Sequence, residues 1–175
     1  MSTLKLNNLE AATGTTINIA SGDKLTGAVG SIAAPGSVIQ VQSSQVSAWS
    51  PMNSDTLATT GLAVSITPKF SSSKVLILVS INGLYTVDSA TYGVYQLYKG
   101  SSFLNHISSA QGQNQTVVSE SLAHQFLDSP STTSATTYSV YYRSSANSSS
   151  IGFNNYALGG NNTTNSTITA MEIAQ

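Results

Sequence analysis

Lys74-Val75-Leu76-Ile77-Leu78-Val79-Ser80-Ile81-Asn82 is the most hydrophobic stretch of the chain, and its reading decides the fold. The unbroken apolar run, Val75 to Val79, falls far short of the roughly 18 to 20 residues that span a bilayer. Its branched side chains favour a strand. In a strand, residues 75, 77, 79 and 81 share one face, while Leu76 and Leu78 point to the other. Both faces are apolar. A two-layer sandwich buries only one face of each sheet, so the second apolar face predicts a contact between subunits. The pattern recurs where Tyr95 and Leu97 stand against Val94 and Tyr98, and where His124 and Phe126 stand against Ala123 and Leu127. The expected oligomer interface is therefore Leu76, Leu78, Tyr95 and Leu97. No convincing amphipathic helix is present to cover that face, and the alternative is ordinary scattered surface apolars.

Outward from this centre, short alternating runs are separated by turn residues. Ile39 and Val41 alternate with Gln40 and Gln42; Leu62, Val64 and Ile66 alternate with Ala63 and Ser65 before Pro68 stops the run. Further strands are expected over residues 93–99, 119–127, 136–143, 150–158 and 166–173. That makes an all-β, antiparallel jelly roll or β-sandwich of about eight strands. Residues 1–36 differ: glycines at 14, 22, 27, 30 and 36 interrupt any long helix. They read as an extended arm with short strands over 4–6 and 17–19, ordered only against a partner. The division expected is an arm, 1–36, and a head, 37–175.

Composition narrows function. The 175 residues hold six Lys plus Arg, seven Asp plus Glu, two His and no Cys, with a net charge of −1. There is no basic field to draw nucleic acid or anionic lipid, no export signal at the start, and no segment for membrane insertion. The acids, Asp23, Asp55, Asp88, Asp128, Glu10, Glu120 and Glu172, show no spacing that implies a general acid and base. No nucleophile elbow, phosphate loop or metal-ligand motif occurs. The expectation is a non-enzyme with no catalytic residues, no metal and no cofactor. His124 reads as a packed histidine, although a threefold axis would bring three copies of one His together around a metal.

The best candidate for a recognition surface is residues 152–165, where aromatic rings and amides suit stacking on sugars and hydrogen bonding to hydroxyls. Its receptor-binding candidates are Asn154, Asn155, Tyr156, Asn161 and Asn162; the plain alternative is a solvated hairpin with a core Phe. Trp49 is a second candidate, for ligand or interface. Sequons at Asn114, Asn147, Asn161, Asn162 and Asn165 read as turn chemistry.

Several blocks belong together: Gly36-Ser37-Val38-Ile39-Gln40-Val41, Gly61-Leu62-Ala63-Val64-Ser65-Ile66-Thr67-Pro68-Lys69, the stretch from Ser72 to Gly83, Phe126-Leu127-Asp128-Ser129-Pro130, Thr136-Thr137-Tyr138, and Ser166-Thr167-Ile168-Thr169-Ala170-Met171-Glu172-Ile173. Together they resemble a module of tailed, particularly marine, bacteriophages. The stretch from Ala12 to Asp23 is similar to segments that open phage fibre proteins. The resemblance implies a virion structural protein on the particle surface, assembled in the host cytoplasm. It implies a homotrimer with a tumour-necrosis-factor-like jelly-roll head, joined to other virion proteins through residues 1–36, whose distal loops meet a host surface glycan. The alternative is a capsid decoration or cement protein, since the chain is short for a fibre. A glycan-degrading tailspike is disfavoured by the scarcity of acids.

Overall fold

The computed structural model describes residues 21–22, 26–27, 33–48, 50–86, 91–111, 120–147, 151–154 and 164–175. Among these residues ten strands run in the order β1 (Val38–Val46), β2 (Ser50–Met52), β3 (Ala58–Ile66), β4 (Lys74–Thr86), β5 (Tyr92–Lys99), β6 (Ser102–Gln111), β7 (Glu120–Asp128), β8 (Thr136–Ser144), β9 (Ile151–Phe153) and β10 (Ser166–Ile173). Among the described residues there is no helix. The expected arm lies almost wholly outside the described residues.

The first sheet runs β1-β10-β4-β7, with β9 and then β2 added along the far half of β4; the second runs β3-β8-β5-β6. Every pairing is antiparallel. With the short β2 and β9 set aside, the eight long strands lie in the sheet orders 1-8-3-6 and 2-7-4-5. This interleaving, with chain neighbours in opposite sheets except for the β5–β6 hairpin, is jelly-roll-like.

β4 supplies the centre of the core. Val75, Ile77, Val79 and Ile81 are 0–3% exposed, facing Leu62, Val64 and Ile66 of β3 and Tyr138, Val140 and Tyr142 of β8. Tyr95 and Leu97 join them, at 1% and 0% exposure. That corrects their expected place in a subunit interface. On β5 both faces are apolar, so alternation alone leaves open which face turns inward, and the sandwich takes the one carrying Tyr95 and Leu97. The Tyr95 hydroxyl donates to the Gly152 carbonyl at 3.0 Å. Its ring stacks on Tyr142, which meets Phe153 edge-on, so one buried aromatic train links the two sheets.

Bulges adjust this frame. Ile81 pairs with Leu122 but Leu84 with Glu120, so β4 holds one extra residue around Asn82 and Gly83. Gly83 takes φ 60°, a left-handed value that glycine adopts freely. The bend sends Tyr85 and Thr86 to pair with β9. On β6, Leu104 and Ile107 are each skipped in the pairing with β5, and both pack against the core. Their spacing of three hides β6 from a search for period-two alternation.

Polar clasps close the two ends. Gln40, Glu172, Val75 and Asp128 form one row across the first sheet. Asp128 receives Lys99 Nζ at 2.9 Å and the Tyr138 hydroxyl at 2.7 Å, both from the second sheet. Burial, followed by the bond to Asp128, raises the Tyr138 pKa. Glu172 is fully buried, and its carboxylate accepts the Lys69 N–H at 2.7 Å, the Phe70 N–H at 3.3 Å and the Gln40 side-chain amide. Burial alone would push this carboxyl upward, but the hydrogen bonds to its charged form outweigh it and hold it below its ordinary value.

At the other end stands Asn154, one of the expected receptor residues. It is 1% exposed. Its amide donates to the carbonyls of Val46 at 2.8 Å and Ala48 at 3.1 Å and accepts from the Ser166 hydroxyl at 2.7 Å. Its own N–H reaches the Asn82 carbonyl at 2.8 Å. With φ at 55°, a conformation Asn tolerates better than most residues, Asn154 is a corner of the fold, and its side chain is not presented to a receptor.

Two outcomes are expected. Because the folded-state pKa of Glu172 is depressed, its contribution is present above the unfolded value of about 4.3 and is lost as pH falls through the lower folded value. Urea unfolding of Glu172→Gln should show a loss of about 1–3 kcal/mol at neutral pH and a flatter acid limb than the parent. Asn154→Ala, which orphans three partners and strains the left-handed backbone, should cost about 2–4 kcal/mol in the same assay.

Candidate functional site

Among the described residues few side chains are free for acid–base or metal chemistry. Asp128 and Glu172 are held in the clasps, and no three of His, Cys, Asp or Glu gather as a metal-holding group among the described residues. His124 sits on the inner side of β7 opposite Val79. Its Nε2 is buried without a hydrogen-bond partner, and desolvation lowers its pKa, favouring the neutral ring. His106 lies on the other sheet, exposed on β6.

The outer face of the first sheet carries an aliphatic band. Val41, Met171, Leu76 and Leu127 lie side by side in one row across β1, β10, β4 and β7. Val38 and Ile173 pair beside them. Val38, Val41 and Leu127 are 53%, 50% and 49% exposed, while Leu76 and Leu78 are half-buried. In the next rows a shallow concavity of about 550 Å³ is lined by Leu78, Ser80, Ala123, Gln125, Thr167 and Thr169, among others. Two of the four residues expected at an interface, Leu76 and Leu78, thus lie on this outer face. Met171 was not foreseen there, because Glu172 turns inward and Met171 outward, against their hydrophobicity.

The outer face of the second sheet is different. Tyr98 pairs with Phe103 on one side and Ser139 on the other, and Gln96 pairs with His106 and Tyr141. Tyr98 lies 4.8 Å from Tyr141 and 5.8 Å from Phe103, centroid to centroid, and Phe103 lies 5.1 Å from His106. The Tyr98 hydroxyl donates to Gln96 Oε1 at 3.3 Å, and Gln96 Nε2 lies 3.4 Å from His106 Nδ1. This cluster is not among the sites expected from the sequence. Its signal was the Tyr95-Gln96-Leu97-Tyr98 alternation, readable only after the inward face of β5 is known.

Of the other receptor candidates, Asn155, Tyr156, Asn161 and Asn162 lie outside the described residues, as does Trp49. The candidate site is therefore a pair of unlike outer faces, one aliphatic and one aromatic with amide and imidazole groups. No family model matches the chain, and no curated protein matches it.

Proposed function

We propose that the chain is a structural, non-enzymatic virion protein of a tailed bacteriophage, a homotrimeric fibre or appendage whose head displays a β-sandwich for adhesion to a host surface glycan. The observation that carries the oligomer is the aliphatic row Val41, Met171, Leu76 and Leu127, half-open across four strands. Covering the exposed half of each such side chain is worth about 1 kcal/mol. The row contains no charge that association would have to desolvate. Several of these side chains from each subunit are needed to offset the cost of association, estimated at about 4–15 kcal/mol.

The jelly-roll-like strand order is the one that a tumour-necrosis-factor-like head requires; the threefold assembly is taken from the resemblance. The phage assignment rests on the sequence blocks quoted above. Attachment to other virion proteins is assigned to residues 1–36. Gly36 and Ser37 meet Ala174 at the sheet edge, so an arm preceding residue 36 leaves the head beside β1.

Light scattering tests this reading. The full chain at low micromolar concentration should show three times the 18.1 kDa mass of one copy. Val41→Lys combined with Leu127→Glu should reduce it to one copy with an unchanged far-ultraviolet circular dichroism spectrum. A monomeric parent would overturn the trimer, and a trimer indifferent to both changes would move the interface elsewhere.

A further inference from the structure

We infer that the outer face of the second sheet is a carbohydrate-binding platform for a neutral oligosaccharide, built on Tyr98, Tyr141 and Phe103 with Gln96 and His106 between them. This deepens the adhesion reading and rests on it, but it locates the contact on the sheet rather than on the 154–162 loop.

Three features argue for a sugar. The rings are inclined, with Tyr141 at 54° and Phe103 at 74° to Tyr98, so their faces point in different directions. An oligosaccharide turns its apolar C–H faces from one residue to the next, and inclined rings meet such a chain where a flat stack would not. The polar groups are interleaved with the rings: Tyr98 hydroxyl, Gln96 amide and His106 imidazole form a chain of contacts at 3.3 and 3.4 Å. That chain orients the donors and acceptors before a ligand arrives, so little side-chain freedom is lost on binding. Lastly, the cluster itself contains no charged group; Arg143, two residues from Tyr141 on the same face, stands in the next row opposite Val94 and donates to the Ser144 carbonyl at 3.3 Å, so the rings and polar groups of the cluster suit a neutral polyol.

The contrast between the two sheets separates this occupant from a second copy of the chain. A dry subunit contact over the aromatic face would have to desolvate a hydroxyl, an amide and an imidazole together, whereas the aliphatic row of the first sheet has none of these. Phe103, 48% exposed, is the ring most available to a ligand. Its position follows from the β6 bulge at Leu104, which brings Phe103 directly opposite Tyr98.

The test uses the full-length parent and two variants, Phe103→Ala and Tyr98→Ala, each checked for unchanged circular dichroism and mass. The probes are maltohexaose, cellohexaose and chitohexaose, followed by saturation-transfer difference NMR and by chemical-shift changes at the Gln96 side-chain amide. The parent should bind at least one of the three, with the Gln96 amide shifting. Each ring removed should weaken binding about three- to tenfold. Binding unchanged in both variants overturns the platform while leaving adhesion through another surface intact. No binding of any probe by the parent overturns the inference for neutral sugars, whereas the trimer stands or falls on its mass. A variant that changes mass overturns it too, in favour of a subunit contact.

Discussion

The inward face of β4 is the constraint on which the rest of the structure depends. Val75, Ile77, Val79 and Ile81 lie between two sheets with almost no exposed surface, and β4 pairs with β10, β7 and β9. A strand with period two cannot slip by one residue without exchanging its faces. Holding these four residues inside therefore sets the register of β10 and β7, and through β10 that of β1. The aliphatic row on the outside of the first sheet follows from the same phase. Once Ile77 is buried, Leu76 must face away from the sandwich, and its row-mates Val41, Met171 and Leu127 align with it.

Apolar rows do not by themselves distinguish one end of the sandwich from the other, and the few buried polar groups do. Asp128 and Glu172 close one end, and Asn154, Ser166 and Asn82 close the other. Each is bonded across elements distant in sequence, so a shifted register would leave buried donors and acceptors unpaired. In a chain with so few ionisable residues, two of the seven acids serve this purpose.

The β-sandwich class, the seven long strands other than β6, and the apolar outer face of β4 were legible in the residues. Leu62, Val64 and Ile66 alternate cleanly with small or polar neighbours, and burial follows that alternation. β6 was not legible, because its bulges place Leu104 and Ile107 inward at a spacing of three. The phase of β5 was also hidden: Tyr95 and Leu97 are as apolar as Val94 and Tyr98, and only the opposing sheet decides between them. Asn154 was read as a displayed amide because composition reports the group and not its partners. The aromatic cluster depends on cross-strand register, which brings together residues 96–98, 103–106 and 141, and no local pattern announces such a meeting.

The pairing of Gly36 and Ser37 with Ala174 has a mechanical consequence. Among the described residues β1 is an edge strand paired in its sheet with β10 alone, and its first ladder contacts are those nearest residue 36. A tether pulling outward from that edge loads one backbone bond at a time and can strip the strand like a zipper. The same tether pulling along the strand axis loads the whole ladder in shear, and all its bonds must then yield together. Were the strand loaded from that edge, the angle of the pull, more than the strength of any single contact, would govern how long β1 holds.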